Sequence, residues 1–529
     1  MPCKIRLRFN ALACVVAAAL LSACAGDKTI LQPVEQQLDI DGPATREFHS
    51  SLYFSNGLSL RFPGYLIGLQ KSPRDLIAGP ERDKPAGGFL RVPGKVPYFD
   101  EEQEADLKFG QGSYSELKSV YEDQKSFYVH HVTRYFDNKA GAPLVGDCFI
   151  YNAFMSGKFG DQVVEDLVRS LGWKQCEKNF QWSQQNQNSF YDNGLPALEL
   201  LSEQVAKDIQ DENITHILVI VMGWNTGQTE AIRNINDIAG TIVAAEQESR
   251  RAGDKSFRPL VIGVTWSSYW TSGIMNLLSY FNKAQDADEI GVSWLNLLLN
   301  QILPTAASDG KIPVVVIGHS FGARAVTRAV FSSPALERSD PKVPKSGVDL
   351  VVGLEGAFSI NRFMTEGGNE GHPYRAWKDK LADVQVALTA SKFDDATSRP
   401  FWYHPAGSYD AFRETCGLES GTTLAAGFEC RIAREGEMSG QPKRAFELCN
   451  SAEEDCVAAR QADKKFAWPE SKLLYIDTSQ GITQYNSLGS GNNAHSDIYR
   501  ISAGRLLWML IDSIPPCPDG RKGRCDPQS

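Results

Sequence analysis

The chain has 529 residues, with 54 lysines and arginines against 64 aspartates and glutamates, so its formal net charge is −10. A chain with an acidic excess is a poor candidate for binding nucleic acid or for electrostatic docking on anionic lipid. Those two classes of function are therefore not expected.

The N-terminal stretch MPCKIRLRFNALACVVAAALLSACAG has the composition of an export signal. Lys4, Arg6 and Arg8 precede an apolar run, Ala11 to Leu21, that is too short to span a bilayer. Residues 1–23 are therefore predicted to be a signal peptide. Its removal takes away three basic residues and lowers the formal charge of the mature chain to −13.

The tetrapeptide LSAC, Leu21 to Cys24, resembles the lipobox of bacterial lipoproteins. The resemblance implies that Cys24 is acylated, with palmitate among the lipids, becomes the mature N-terminus and anchors the protein to a membrane. Ala25 at the next position is similar to the outer-membrane class of Gram-negative lipoproteins, which implies a periplasm-facing protein. The alternative is a plain secretory signal that happens to contain a cysteine.

Residues 24–189 form the predicted N-terminal region, and no helical periodicity is sustained over most of it. Three segments are typical of strands and a fourth of a helix: HSSLYFSNGLSLRF, KSFYVHHVTRYF, CFIYNAF and, for the helix, FGDQVVEDLVRSLGW. This mixture predicts an α+β region. His130 and His131 are expected on opposite faces of the second strand, in structural roles.

From about residue 190 to residue 515, buried strands alternate with helices, and residues 516–529 form a tail. The predicted strands are THILVIVMGW, RPLVIGVTWSS, the strand before Ser320, VDLVVGLEGAF, DVQVALTAS and KLLYIDTS. The clearest helices are PALELLSEQVAKDI, TEAIRNINDIAGTIVAAEQESRR and ISAGRLLWMLIDSI. This alternation predicts an α/β fold, a mostly parallel sheet with helices on both faces and with sites at the carboxyl ends of the strands.

Ser320 lies in the stretch KIPVVVIGHSFGARAVTRAVF, between an apolar run and an alanine-rich run. Pro313–Ile317 is typical of a buried strand, and Ala323–Phe331 is typical of a packed helix. Gly318 and Gly322 suit a tight strand-to-helix turn because side chains there would clash with neighbouring backbone. The pattern predicts a nucleophile elbow that exposes the Ser320 hydroxyl, with an ordinary Gly/Ser turn as the alternative.

A serine nucleophile needs a base, and three histidines follow Ser320 in the chain: His372, His404 and His495. His495 alone lies between the last strand and the last helix, in the polar, glycine-rich stretch GSGNNAHSDIYR. His495 is therefore the predicted base. The alternative for His495 is a surface histidine in a loop.

The base needs an orienting acid, and VALTASKFDDAT runs from a buried strand directly into Asp394 and Asp395. Asp394 is the favoured acid. Asp395 and Glu355, which follows the preceding strand in GLEGAF, remain open as alternatives. Adjacent aspartates at the end of a strand can also simply begin a loop.

Two backbone N–H groups are expected to bind the oxyanion of the tetrahedral intermediate. The first belongs to Phe321, directly after the nucleophile. The second belongs to Trp224 in the loop MGWNTG, where Gly223 lets the backbone come close. The indole of Trp224 is expected to pack against its neighbours.

The chain order Ser320, Asp394, His495 on such a sheet resembles the α/β-hydrolase superfamily, particularly its lipase and serine-esterase branches. The resemblance covers about residues 190–515 and is carried by VMGWN, VTWSS, GHSFG, SKFDDA and NAHSDIY. Met222 departs from the family's usual His-Gly at the oxyanion loop. The backbone amide that follows is unaffected by this change.

Beyond residue 24 the chain has eight cysteines, an even number that predicts disulfides in an exported protein. Four of them lie in an insertion at about 396–470, which is longer than an ordinary connection and is expected to cover the site. Their clustering favours pairs of sequence neighbours. On one continuous helix Cys449 and Cys456 would be about 10.5 Å apart, too far to bridge, but SAEE between them is predicted to start a new helix. No C-x-x-C spacing supports a metal site.

With the resemblance, these residues predict a carboxylic ester hydrolase that forms an acyl-enzyme. Ser320 attacks, His495 shuttles the proton and Asp394 orients the imidazolium, without a metal or organic cofactor. The segment WSSYWTSGIMNLLSYF and the lipid anchor indicate lipid or acyl esters, although helix packing explains the segment equally well. The alternatives are an acyltransferase with the same triad and a non-catalytic envelope lipoprotein.

Overall fold

The structure, a computed structural model, describes a defined part of the chain. The described residues are 59–71, 127–136, 148–152, 175–180, 190–250, 256–268, 280–307, 312–332, 347–364, 370, 374, 384–397, 404–417, 427–437, 444–450, 456–458, 460–461, 464–483 and 494–514. The signal peptide and Cys24, the helix expected at 159–173, His372 and the tail lie outside them. Within these ranges, no helix is both long and apolar enough to cross a membrane.

The described residues contain the following strands: β1 Gly64–Lys71, β2 Phe127–Tyr135, β3 Cys148–Asn152, β4 His216–Val221, β5 Pro259–Trp266, β6 Val314–His319, β7 Leu350–Leu354, β8 Gln385–Ala390, β9 Glu429–Glu437, β10 Arg444–Asn450, β11 Cys456–Ala458, β12 Arg460–Gln461, β13 Lys464–Lys465 and β14 Leu473–Asp477. The α-helices are α1 Phe190–Asp211, α2 Gln228–Ser249, α3 Tyr280–Ile290, α4 Leu303–Ala306, α5 Phe321–Val330, α6 Tyr409–Thr415 and α7 Ile501–Asp512. Two π-helical turns, Gly291–Leu295 and Leu298–Ile302, connect α3 to α4.

Twelve of these strands form one sheet in the order β11-β10-β9-β14-β8-β7-β6-β4-β5-β1-β2-β3. Every pairing from β9 to β1 in this order is parallel. The antiparallel strands β2 and β3 lie at one end of the sheet, and β10 and β11 lie at the other. The prediction of an α/β fold with a mostly parallel sheet is confirmed.

The central strands are buried along their whole length and mostly apolar, as expected where helices cover both faces of a sheet. Val219 and Val316 contribute to one hydrophobic core, and their neighbours Ile220 and Ile317 contribute to a second. Helices α1, α3 and α5 pack into the first core, and α2 and α7 pack into the second. The strands therefore lie in the middle of a three-layer arrangement, with their carboxyl ends at one edge.

The N-terminal region supplies three strands to this same sheet. β1 pairs in parallel with β5, so β1 to β3 extend the sheet beyond the alternating region. Of the segment HSSLYFSNGLSLRF only residues 59–62 are described, and they are not in a strand. The strand β1 begins just after this segment, at Gly64. The segments KSFYVHHVTRYF and CFIYNAF contain β2 and β3, as predicted.

The expectation that His130 and His131 lie on opposite faces of their strand is wrong. Gly68 pairs with His131 whereas the next residue, Leu69, pairs with Val129, so His130 is the extra residue of a β-bulge. The bulge brings the two buried imidazoles together, with their Nδ1 atoms 2.9 Å apart. Burial lowers the pKa of His130 to about 3 and also lowers that of His131.

Strands β9, β10 and β11 of the 396–470 insertion extend the sheet, whereas its residues 406 and 407 hydrogen-bond the main chain that follows β7. The expected cover over the site stays a prediction, because much of the insertion lies outside the described residues. β9 pairs in parallel with β14, and β10 and β11 continue the sheet outward from β9. The helix expected to start at SAEE lies outside the described residues, and Cys449 and Cys456 on either side of it lie opposite each other on the antiparallel strands β10 and β11. Pairing with the β14 edge satisfies backbone groups that a separate cover would leave exposed.

Two of the expected pairs of neighbouring cysteines are disulfides in the structure, Cys148–Cys176 and Cys416–Cys430. Cys449 is also disulfide-bonded. The first bridge ties the end of the N-terminal strands to residues 175–180, and the second ties α6 to the start of β9. The bridges therefore hold the two outer parts of the sheet, away from its central strands.

Candidate active site

Ser320 occupies the turn between β6 and α5, in a strained backbone conformation with φ of 57° and ψ of −120°. Residues with a side chain rarely adopt positive φ, so the surrounding packing must hold this one in place. A Cβ on Gly318 would lie 2.5 Å from the backbone N of Ala323, and one on Gly322 would overlap the carbonyl O of Val221. The glycines therefore permit the close approach of strand and helix that the sequence indicates.

The main chain of Ser320 is fixed by the end of the neighbouring strand β7. Its N–H donates to the carbonyl O of Leu354 at 3.0 Å, and its own carbonyl O accepts from the N–H of Ala357 at 3.1 Å. Both the N–H and the carbonyl O of the serine are thus hydrogen-bonded to the segment at the end of β7. This restraint makes the position of the serine a property of the sheet edge.

His495 and Asp394 form a hydrogen-bonded pair although 101 residues separate them in the chain. His495 lies in the 3₁₀ turn Ala494–Ser496, which follows β14 in the chain. Its Nδ1 lies 2.8 Å from Oδ2 of Asp394. An Nδ1–H that donates to the carboxylate leaves Nε2 as the basic atom of the imidazole. The side chain of His495 is 16% exposed, whereas that of Asp394 is buried.

The Asp394 carboxylate accepts several hydrogen bonds from the loop that it begins. Oδ1 accepts from the N–H groups of Ala396 (2.9 Å) and Thr397 (3.1 Å), and Oδ2 accepts from the Thr397 hydroxyl at 2.7 Å. Burial acts to raise the pKa of Asp394, but His495 and these donors outweigh it and hold the pKa below its usual value. The acid is therefore ionised and fixed in direction.

The alternatives raised by the sequence occupy different environments. Asp395 is exposed in the turn that follows β8. His404 pairs with Glu414 at 3.0 Å. Glu355 is fully buried at the end of β7, and burial and the nearby Asp394 charge raise its pKa. Asp394 is the acid whose carboxylate pairs with His495.

His319, directly before the serine, contacts His495 and was not among the residues singled out from the sequence. Its ring centroid lies 4.7 Å from that of His495, and its Nε2–H donates to the His495 carbonyl O at 2.7 Å. Burial lowers the pKa of His319 to about 3, so this imidazole is neutral. The signal available in the sequence was the histidine inside GHSFG, beside the nucleophile.

The loop after β4 lies directly against the elbow. A Cβ on Gly223 would lie 2.5 Å from the Cβ of Ser320, so the main chain of this loop packs on the nucleophile. The indole N–H of Trp266, at the end of β5, donates to the carbonyl O of Met222 at 2.9 Å. The Ser268 hydroxyl accepts a hydrogen bond from the N–H of Thr226 and donates one to the carbonyl O of Thr226. The VTWSS segment thus braces the loop that carries the expected oxyanion donor.

The side chain of Trp224 packs in an aromatic cluster beside the elbow, as expected. Its ring centroid lies 5.7 Å from that of Tyr280 and 6.4 Å from that of Phe321. Tyr280 and Phe321 are themselves 4.9 Å apart. Trp224 and Tyr280 are only partly buried, so this cluster forms an apolar wall next to Ser320.

The site has no cluster of metal ligands in the part of the chain that the structure describes. No group of three or more histidine, cysteine, aspartate or glutamate side chains there could hold a metal ion. The chemical groups of the site are a strained serine, a histidine–aspartate pair and the backbone of Gly223–Trp224 and of Phe321. These groups can support nucleophilic catalysis with general acid–base assistance.

Comparison with known proteins adds little to this geometry. No family model and no curated protein matches the sequence. Est2, a thermophilic esterase from Thermogutta terrifontis solved with propionate, is 11% identical over 40% of this chain and 70% of its own, with a TM-score of 0.20. A Trichoderma reesei cutinase in complex with a phosphonate inhibitor is 14% identical over 36% of this chain and 72% of its own, with a TM-score of 0.16. Likeness this slight carries no argument about the present chain.

Proposed function

We propose that this chain is a serine hydrolase of the α/β-hydrolase fold that cleaves carboxylic esters through an acyl-enzyme. The observation that carries the proposal is the 2.8 Å pair between His495 and Asp394, at the same sheet edge as the strained Ser320. Loops from three different strands must converge to bring these residues together. A purely structural role gives no reason for that convergence.

The reaction begins when the Ser320 hydroxyl adds to the ester carbonyl and His495 Nε2 takes its proton. Asp394 stabilises the imidazolium through Nδ1–H, and the imidazolium then gives the proton to the leaving alcohol. Water attacks the acyl-enzyme in the same manner and releases the acid. The chemistry needs no metal or organic cofactor.

The oxyanion that forms in both steps is bound by the N–H groups of Phe321 and Trp224. Phe321 begins α5, so its N–H also lies at the positive end of that helix. The close packing of Gly223 on Ser320 supports a Trp224 amide within reach of the same oxygen. Removing one such donor from an oxyanion hole costs about 10²–10³ in kcat.

The substrate is an ester with an apolar acyl or alcohol part, and lipid esters fit this description. The wall formed by Trp224, Tyr280 and Phe321 supports an apolar substrate group beside the nucleophile. The enzyme acts in the bacterial cell envelope, attached through acylated Cys24 to the outer membrane and facing the periplasm. The lipobox LSAC supports this part of the proposal.

Labelling with a fluorophosphonate probe tests the proposal. The wild-type protein is expected to bind the probe covalently, and Ser320→Ala is expected to bind none. Product analysis with an added alcohol then separates a hydrolase, which releases acid, from an acyltransferase, which forms a new ester. A folded wild type that is neither labelled nor active on esters would reject the serine mechanism and leave a binding protein.

A further inference from the structure

Glu355 is a fully buried carboxylic acid at the edge of the proposed active site. It follows β7 with a φ of 47°, a conformation that few residues with a side chain adopt. Its N–H donates to the hydroxyl O of Thr389 at 3.0 Å. A Cβ on Gly407 would lie 2.5 Å from the carbonyl C of Glu355, so neighbouring main chain closes over this residue. The carboxyl therefore has to find its partners inside the protein.

The two oxygens of Glu355 have different surroundings. Oε1 accepts hydrogen bonds from the hydroxyls of Thr389 (3.1 Å) and Thr478 (3.2 Å). Oε2 is buried and has no hydrogen-bond partner among the described residues. The carboxyl of Asp394 lies close enough for its charge to raise the pKa of Glu355, so it is the candidate partner of Oε2. Two carboxyl groups can share a hydrogen bond only when one of them carries a proton.

The surroundings decide which carboxyl carries the proton. Asp394 accepts from His495 and from Thr397, all of which favour its ionised form. Glu355 is acted on by burial, by Asp394 and by two neutral hydroxyls. Burial, and after it the Asp394 charge, raise the pKa of Glu355 well above its usual value. Glu355 is therefore the group expected to hold a proton, and its Oε2 could then donate to the Asp394 carboxylate.

We infer that Glu355 is a positioning residue of the triad: its protonated carboxyl donates a hydrogen bond to Asp394 and fixes the carboxylate that orients His495. The inference rests on the proposed function. It also explains why the site tolerates two buried carboxyls in contact, because the pair holds a single negative charge. Glu355 does not touch substrate, so its effect passes through Asp394 to the imidazole.

Two variants of Glu355 separate donation of the hydrogen bond from simple packing. In Glu355→Gln the side-chain NH2 group can donate to Asp394 and the carbonyl O can accept from the threonines, so kcat is expected to stay near that of the wild type. Glu355→Leu keeps most of the volume but loses the donor. Its kcat is expected to fall about 10- to 100-fold with KM unchanged, the usual loss for a hydrogen bond to a charged group.

The pH profile of kcat/KM gives a readout that packing alone would not move. Without the Glu355 donor, Asp394 concentrates more charge on His495 and stabilises the imidazolium better. The acidic limb of the Glu355→Leu profile is therefore expected at higher pH, and that of Glu355→Gln near the wild-type position. The other titratable groups acting on this pair, Tyr280, His319 and Tyr475, are unchanged in both variants.

Infrared difference spectroscopy tests the proton without any substrate. At neutral pH, wild type minus Glu355→Gln is expected to contain the carbonyl stretching band of a protonated carboxylic acid. The matched control is Glu246→Gln, because Glu246 is equally buried but is paired with Arg250. That control is expected to remove no such band. Circular dichroism checks that each variant is folded.

Contrary results identify which proposal fails. If the wild type hydrolyses esters but Glu355→Gln loses as much activity as Glu355→Leu, or the protonated-acid band is missing, the positioning role is overturned. If the wild type has no esterase activity and takes up no fluorophosphonate, the proposed function fails and the positioning role fails with it. Three results together support the positioning role: Glu355→Gln keeps activity near that of the wild type, the acidic limb of the Glu355→Leu pH profile is shifted, and the protonated-acid band is present.

Discussion

The imidazole of His319 holds the peptide unit of His495, through an Nε2–H that donates to the His495 carbonyl O at 2.7 Å. Since His319 immediately precedes Ser320, one side chain links the nucleophile's strand to the loop of the proposed base. The two rings also lie against each other, with centroids 4.7 Å apart. A neutral His319 lets this contact form without placing a second positive charge beside the imidazolium that catalysis requires.

His319 is expected to make the protein sensitive to acid. The pKa of His319 is about 3 in the folded protein, below the value near 6.5 expected in the unfolded chain. Between these two pH values the unfolded state therefore binds more protons than the folded state. Stability is fully present above about pH 6.5 and is lost as pH falls, by about 1.4 kcal/mol per pH unit for this residue. Urea unfolding of His319→Gln should therefore show a weaker pH dependence than that of the wild type. His130 and His131 keep part of the slope, but equal slopes in both proteins would contradict a neutral His319.

Ser320→Ala is expected to abolish hydrolysis of p-nitrophenyl esters and to leave the circular dichroism spectrum unchanged. The loss of a triad nucleophile costs on the order of 10⁶ in kcat. Ser502→Ala, on α7, is the control, and its activity should match that of the wild type. Activity retained by purified Ser320→Ala would rule out this serine as the nucleophile.

Asp394→Asn should reduce kcat by up to roughly 10⁴, because an amide can hold the wrong imidazole tautomer and cannot stabilise the imidazolium. Asp395→Asn should have a small effect, because Asp395 is exposed. Both variants are measured at saturating substrate near neutral pH. A large loss in Asp395→Asn with little change in Asp394→Asn would transfer the role by one residue.

Gly223→Ala should disturb the contact between the oxyanion loop and the nucleophile. The added Cβ would lie 2.5 Å from the Cβ of Ser320 and 2.7 Å from the carbonyl O of His319. Displacement of one donor is expected to lower kcat by about 10²–10³. The control is Gly240→Ala in α2, where the nearest atom is Phe62 Cζ at 4.0 Å. This control should keep full activity and gain about 0.5–1 kcal/mol of stability; equal activities would show that Gly223 is not tightly packed on the elbow.

Cys24 is expected to carry lipid at the mature N-terminus. Mass spectrometry of the N-terminal peptide from membrane-bound protein should find an acylated Cys24, and Cys24→Ser should leave an unprocessed or soluble form. Cys14→Ser is the control, because this cysteine lies inside the predicted signal peptide, and it should be processed normally. A membrane-bound protein with unmodified Cys24 would contradict the lipobox.

Local features of the sequence were sufficient to predict the framework. The apolar run of β6, the glycines around Ser320 and the alanine-rich α5 are neighbours in the chain, so their short-range clashes and periodicity dictate a strand, a turn and a helix. The alternation of buried strands and helices predicted a parallel sheet for the same reason. Even the end of β8 at Ala390, shortly before Asp394 and Asp395, could be predicted this way.

Tertiary structure decided how side chains from distant segments meet. Whether Asp394, Asp395 or Glu355 pairs with His495 depends on loop direction after β7 and β8, which no local pattern encodes. The bulge at His130 likewise depends on pairing with β1, and the insertion could pair with β14 only because that strand's edge was open. These outcomes arise from contacts between residues far apart in the chain, where backbone pairing and burial compete with local preference.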